Sequence, residues 1–205
     1  SRFVPREKTK IIPVSVPSIQ GHSGAVEIIN SKLIFGWSGK ASSAYQIRDI
    51  VGRLPMGFFD EFRLIILSGE DPQLDLRYEY MPFSQSNEIE FYQTVDVGIV
   101  PSTDRPFDLG KTPVKALQHF AYGKTVIANP RGAGAEFITK DCSVVVENDS
   151  WEDAFHLISS GAVNLEELSR KALLVQRNKY SREVTCGRLI ESLLDLAEEK
   201  LRLRS

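Results

Sequence analysis

Val95-Asp96-Val97-Gly98-Ile99-Val100 is an apolar run stopped by Pro101, and Val114-Lys115-Ala116-Leu117-Gln118-His119-Phe120-Ala121-Tyr122 is an amphipathic run closed by Gly123. Thr125-Val126-Ile127-Ala128 then returns to an unbroken apolar run. The outer runs are too apolar for strands with one wet face, and the middle run has helical spacing. A strand, a helix and a strand in that order predict two parallel strands joined by a crossover helix.

The same rhythm continues in both directions. Residues 33–35 and 63–67 are short apolar runs, and 42–54 between them has a helical pattern. Residues 76–80 read as a third strand and 87–93 as a short helix, while 142–146 reads as a strand. From Trp151 the pattern is helical almost to the end, with a break near Gly161. Short apolar strands alternating with helices predict a Rossmann-like, doubly wound α/β domain with its parallel sheet covered on both faces. Such folds bind ligands outside the carboxyl ends of their strands. The loops to read are therefore 36–43, 68–72, 101–113 and 129–136.

A chain of 205 residues has room for one well-cored domain and little more. The first thirty residues, rich in Pro, Ser and Gly, read as a linker, which leaves 31–205 as the domain. A net charge of −2 supplies no global basic field, so nucleic acid is not an expected partner. The amino-terminal stretch lacks the apolar core of a signal peptide, and no run is long and apolar enough to span a membrane. Cys142 and Cys186 form no CxxC or Cys/His cluster, and His22, His119 and His156 stand far apart, so no metal site is expected. Cys142, beside an apolar run, is expected to be a buried small hydrophobe; a disulfide to Cys186 stays open. His119 and His156 fall inside predicted helices and read as structural or surface residues. No G-x-S-x-G or other nucleophile motif is present.

Three of the loops could hold an anion. In Gly36-Trp37-Ser38-Gly39-Lys40-Ala41-Ser42-Ser43 the glycines permit a sharp turn and a close approach, and Ser42 or Ser43 can cap the next helix. Its amides and Lys40 would favour a phosphate; the residues fit an ordinary strand-to-helix turn equally well, and the pattern is neither Walker A nor GxGxxG. In the second loop, Thr112-Pro113 reads as an N-cap followed by a first-turn proline. Lys111 precedes that start and Lys115 lies in the first turn, where the helix dipole is already positive and each cation costs about 0.3–1 kcal/mol. A bound phosphate or diphosphate would offset that cost, accepting from helix amides and both ammonium groups. The third loop, Asn129-Pro130-Arg131-Gly132-Ala133-Gly134-Ala135-Glu136, offers accessible amides and places Glu136 in the first turn of an expected helix. Phe137 at the third glycine position breaks a dinucleotide fingerprint.

Together these loops resemble the C-terminal domain of GT-B glycosyltransferases of the GT4, or glycosyltransferase group 1, type. The strongest likeness is Gly110-Lys111 with 114–128. Phe35-Gly36-Trp37-Ser38-Gly39 resembles a Gly-Trp-x-Gly first loop found in a subset, and 96–101, Asp104 and Pro106-Phe107 resemble the segment before that subset's lysine pair. Gly132-Ala133-Gly134-Ala135-Glu136, Trp151, and a crossover-like segment at 11–17 complete a likeness that covers nearly the whole chain.

The resemblance implies transfer of a sugar from a nucleotide diphosphate sugar, UDP- or GDP-linked, to a glycan, lipid or protein-linked acceptor, usually with retention and without an obligatory metal or other cofactor. By position, Gly36, Trp37, Ser38 and Gly39 would lie against the diphosphate. Lys111 and Lys115 would neutralise it and stabilise the leaving group. Tyr80-Met81-Pro82-Phe83, through Met81 and Phe83, would border the base, and Gly132, Ala133 and Gly134 would approach the sugar or phosphate. Many members carry two glutamates around the lysines; here those places hold Gly110 and Gln118, and Gln118 can still bond a ribose hydroxyl. The resemblance further implies a partner N-terminal acceptor domain of the same enzyme, so that this chain is expected to be the donor-binding half. It implies a cytoplasmic location, with any membrane-surface association residing in that other domain. Gly110 and Gln118 also suit a non-catalytic nucleotide- or sugar-binding module of the same fold. A sugar-nucleotide epimerase fits less well, because it would need a catalytic histidine that the chain does not offer.

Overall fold

The computed structural model describes residues 12–19 and 32–202. Six strands form a single parallel sheet: β1 (Ile34–Gly39), β2 (Arg63–Ser68), β3 (Glu79–Pro82), β4 (Val97–Val100), β5 (Thr125–Ala128) and β6 (Val144–Val145). Their order is β3-β2-β1-β4-β5-β6, with every pair parallel. The chain winds outward from β1 on one side and from β4 on the other, so the switch point lies between these two strands. The helices are α1 (Ala44–Val51), α2 (Phe58–Glu61), α3 (Gln85–Thr94), α4 (Pro106–Leu109), α5 (Val114–Ala121), α6 (Trp151–Ser159), α7 (Leu165–Val175) and α8 (Arg182–Arg202). A π turn at Gln176–Tyr180 joins the last two. This is the Rossmann-like α/β fold that the sequence rhythm predicts.

Alternation along β1 sorts the core into two layers. Phe35 and Trp37 face one side, in a cluster with Ile47 of α1, Leu64 and Ile66 of β2, and Trp151 and Phe155 of α6. There Phe35 has the rings of Phe58, Phe59, Phe62 and Phe155 around it, at centroid distances of 5.0 to 6.4 Å. Ile34 faces the other side with Ile65, Leu67 and, from α3, Phe91 and Tyr92. A third cluster packs Val126 and Ala128 of β5 against Leu117 and Phe120 of α5 and Ala172 of α7.

At the sheet centre, Gly36 of β1 and Gly98 of β4 are direct neighbours across the ladder. A Cβ on Gly36 would stand 2.4 Å from Val95 Cγ2 and 2.8 Å from Phe91 Cζ. One on Gly98 would stand 2.4 Å from the His119 ring. The missing side chains are filled by α3 and α5, which can therefore sit close to the strands.

Several elements differ from the sequence reading for identifiable reasons. β3 begins at Glu79 rather than 76, because Tyr78 folds back to donate its hydroxyl to Asp71 and to accept from the Leu74 amide at 3.3 Å. β6 is shorter than 142–146, because Cys142 is tied into the preceding turn by its amide bond to the Thr139 carbonyl. The loop after β4 contains α4. Glu136 ends a short 3-10 turn, Gly132–Glu136, instead of starting a helix. The break near Gly161 is present: Gly161 adopts φ 71°, and Asn164 caps α7 by accepting from the Glu167 amide at 3.0 Å. Cys142 is buried, Cys186 is exposed, and both are free thiols. No helix among the described residues is long and apolar enough to cross a membrane.

Of the proposed linker, residues 1–11 and 20–30 lie outside the described residues. Val16 bridges in parallel to Ser181, its amide donates to the Tyr180 carbonyl at 3.2 Å, and its carbonyl accepts from Gln176 Nε2 at 2.9 Å.

Gly36→Ala should lower unfolding stability by about 1–3 kcal/mol, since the added methyl must displace Val95 and Phe91. Gly69→Ala, where a Cβ meets nothing within 4 Å, should leave the urea midpoint near wild type. Equal midpoints for the two variants would contradict the packing role of Gly36.

Candidate functional site

Three elements bring polar side chains together at the carboxyl edge of the sheet near the switch point. Ser38, at the end of β1, lies with its hydroxyl 3.3 Å from the Tyr92 hydroxyl. Tyr92 donates to Gln118 Oε1 at 2.9 Å, and Gln118 Nε2 donates to Glu88 Oε1 at 3.1 Å. Lys115 Nζ reaches the same Glu88 oxygen at 3.4 Å. A continuous polar chain thus runs Ser38–Tyr92–Gln118–Glu88–Lys115 across β1, α3 and α5. Glu88 and Tyr92 are four residues apart on α3, and Lys115 and Gln118 three apart on α5, so each pair shares a helix face.

This chain rests on a buried aromatic base. The rings of Tyr92 and His119 meet edge to face at 4.8 Å, and Tyr122 stacks on Tyr92 at 5.4 Å. Burial pushes the Tyr92 phenol above its ordinary pKa and keeps it a donor. His119 is fully enclosed; burial foremost, then the charges of Lys115 and Lys124, push its pKa down to about 3. Its Nδ1 has no hydrogen-bond partner among the described residues, which suits a neutral ring used as packing.

The loop after β4 supplies the other cation. Lys111 Nζ lies 3.6 Å from Asp108 Oδ1, and Thr103 donates to the other oxygen of that carboxylate. α5 begins at Val114 with Pro113, not Thr112, in the capping position, and no side-chain cap bond is made. The Thr112 carbonyl instead accepts from the Val114 amide at 2.8 Å, because proline one residue later fixes the entry of the chain. Lys115 does lie in the first turn. Asn129, at the end of β5, accepts from the Ser102 amide at 2.7 Å and donates to the Ser102 carbonyl at 3.0 Å. That reciprocal pair locks the loops after β4 and β5 together. Arg105 stands over the Tyr45 ring of α1 at 4.8 Å, tying the same loop to the element after β1.

The remaining residues named from sequence are placed as follows. Gly36 and Trp37 lie inside β1, which corrects their assignment to a loop: the strand runs on through Gly39. Trp37 is buried in the opposite core layer, where its ring underlies Gly39, whose Cβ would stand 2.4 Å from it. Ser43 precedes α1 without a side-chain cap bond. Lys40 is exposed. Met81 packs against the Phe91 layer, and Phe83 is exposed just past the end of β3, its amide bonded to the Ser68 carbonyl at 2.8 Å. Gly132 adopts φ 49°, and a Cβ there would stand 2.0 Å from the Leu109 carbonyl oxygen. Gly134 is buried with Pro113 Cγ at 3.0 Å from its Cβ position, and its amide donates to the Arg131 carbonyl. The close approach these two glycines permit is therefore to the loop after β4, beside Ala133. Sequence reading missed Glu88 and Tyr92. Their i, i+4 spacing on the helix that follows Phe83 was the available signal.

Among the described residues no group of three or more His, Cys, Asp or Glu side chains could hold a metal ion. A concavity at the amino ends of β2 and β3 is lined by Arg63, Arg77 and Glu79, and another by Met56, Glu152 and His156. Neither includes any side chain of the polar chain above.

No protein-family model matches the sequence, and no curated protein matches it by sequence. Solved structures do match by fold. The lipopolysaccharide outer core galactosyltransferase WaaB, in its apo form, superposes with a TM-score of 0.69 at 12% identity, over 95% of this chain and 57% of that one. Anabaena HepE in complex with UDP-glucose matches with a TM-score of 0.59 at 10% identity, over 80% and 49%. The C-terminal domain of a glycosyl transferase group 1 family protein, LpcC of Francisella tularensis, matches with a TM-score of 0.52 at 18% identity, over 81% and 96%. The chain thus has the fold of GT-B glycosyltransferase domains, and it spans about half the length of the first two proteins.

A histidine held neutral inside the fold makes stability depend on acid. The unfolded chain takes up a proton near pH 6.5, whereas folded His119 does so only near pH 3. Its contribution is complete above pH 6.5 and is lost as pH falls toward 3, at about 1.4 kcal/mol per pH unit. Urea midpoints measured from pH 7 to 4 should fall less steeply for His119→Asn than for wild type; parallel slopes would show that His119 is not the group responsible.

Proposed function

We propose that this chain is the donor-binding, C-terminal domain of a GT-B glycosyltransferase of the GT4 type. It would transfer a sugar, with retention, from a UDP- or GDP-sugar to a glycan, lipid or protein-linked acceptor. The observation that carries this reading is the place of the two lysines, Lys111 just before α5 and Lys115 in its first turn, at the edge of the sheet where β1 and β4 part. Two cations at the positive end of a helix dipole form a site for a diphosphate. The WaaB and HepE folds, and the UDP-glucose in HepE, support a nucleotide sugar as the ligand. The match to the LpcC C-terminal domain supports residues 31–205 as a C-terminal unit; a linker at 1–30 and an acceptor-binding N-terminal domain would precede it. That partner domain would also carry any peripheral membrane attachment of a cytoplasmic enzyme.

In the reaction, the bond from the anomeric carbon to the β-phosphate oxygen breaks. The acceptor oxygen bonds to the same carbon on the same face and releases its proton, and the nucleoside diphosphate leaves. Charge develops on the departing diphosphate, and Lys111 and Lys115 stabilise it there without a metal. Ser38 and Gly39 end β1 beneath that position. Met81 and Phe83 border the base, and Gly132, Ala133 and Gly134 shape the side nearest the sugar. Gly36 and Trp37 serve the same site from within the core, as packing. Gly110, where a carboxylate would contact the sugar, favours a second reading: a binding module that retains the nucleotide site without transfer.

Calorimetry with UDP, GDP and ADP tests the site. At least one should bind, and the Lys111→Ala/Lys115→Ala double variant should bind it at least about tenfold more weakly. Binding of none, or undiminished binding by the double variant, would overturn the assignment. With a labelled donor the 205-residue chain alone should turn over poorly, and joining it to its acceptor domain should restore transfer; nucleotide binding without transfer in that joined protein would select the binding module.

A further inference from the structure

We propose that Glu88 is the group that reads the ribose, accepting hydrogen bonds from the sugar hydroxyls of a ribonucleotide. This rests on the nucleotide reading given above and moves the ribose contact from α5 to α3.

Three observations carry it. The first is order along the sheet edge. Phe83 and Met81 stand at the end of β3, and α3 starts two residues beyond Phe83, at Gln85. Glu88 lies one turn further and reaches Lys115. It therefore stands between the segment that borders the base and the cation that holds phosphate, the place a ribose occupies in a nucleotide. The second is donor and acceptor direction. The Oε1 of Gln118 is taken by the Tyr92 hydroxyl, and its Nε2 points to Glu88. Gln118 is thus fixed as a donor toward Glu88, and its acceptor atom is engaged on the far side. The third is the carboxylate itself. Both bonds that it accepts among the described residues fall on Oε1, and the side chain keeps 26% of its exposure. A carboxylate accepts only, through two oxygens, which matches a vicinal diol that presents two donors. Doubly wound domains use an Asp or Glu in this way on ribose.

A mere counter-ion for Lys115 would have the same contacts, so the test separates the two roles. Calorimetry compares wild type and Glu88→Gln with three probes: the ribonucleoside diphosphate that binds best among UDP, GDP and ADP, its 2′,3′-dideoxy form, and inorganic pyrophosphate. A thermal melt of each protein confirms folding. Wild type should prefer the ribonucleotide to its dideoxy form by about tenfold, the size of one charge-assisted hydrogen bond. Glu88→Gln should erase that preference while binding pyrophosphate as well as wild type or more tightly, because Lys115 is released. Absence of the preference in wild type, its survival in Glu88→Gln, or a parallel loss of pyrophosphate binding would overturn the assignment. If wild type binds neither a nucleotide nor pyrophosphate, the nucleotide reading itself falls, and this assignment falls with it.

Discussion

The structure depends on an absence of side chains at one point. Gly36 and Gly98 sit side by side on the two central strands, and neither strand carries a side chain at that point. Phe91 and Val95 fill it over β1, and His119 fills it over β4. With a Cβ at either position, α3 or α5 would have to shift away from the sheet. The separation of these helices is what brings the Tyr92 hydroxyl to 2.9 Å from Gln118 and Glu88 to 3.1 Å from the same amide. Polar geometry at the edge is thus set by van der Waals contact in the core.

The same arrangement explains how the site tolerates its own cations. Lys111 has Asp108 beside it, and Lys115 has Glu88. Each lysine that opposes the helix dipole thus carries a carboxylate neighbour. The lysine side chains are 54% and 39% exposed, and ion pairs of that exposure are worth little. Such partners balance charge without holding it tightly. The firm bonds lie elsewhere, in the Asn129–Ser102 pair and in the buried aromatic base.

Much of this was legible in the residues. Fully apolar runs such as 125–128 mark strands buried on both faces, and the lysines beside Pro113 mark an unusual helix start. Gly36 misled because a glycine near a strand end reads as a turn, whereas its flanks Phe35 and Trp37 both point into the opposite layer. Its true role depends on Val95 and Phe91, nearly sixty residues away, and no local pattern encodes that. The same holds for Glu88. Alone it is a polar residue near a helix start, and it joins the site only because α3 and α5 lie over neighbouring strands. β3 was displaced for a similar reason: the Tyr78–Asp71 bond competes with strand extension, and strand propensity does not contain it.

The clasp between Val16 and the segment after α7 has a kinetic meaning. Its two sides are 160 residues apart in the chain. Closing a loop of that length in an open chain costs about 4–5 kcal/mol of entropy, more than a few hydrogen bonds return. The contact becomes favourable only after the sheet has drawn its strands together and shortened the effective loop. It is therefore a contact that consolidates after the sheet has formed and not one that nucleates it.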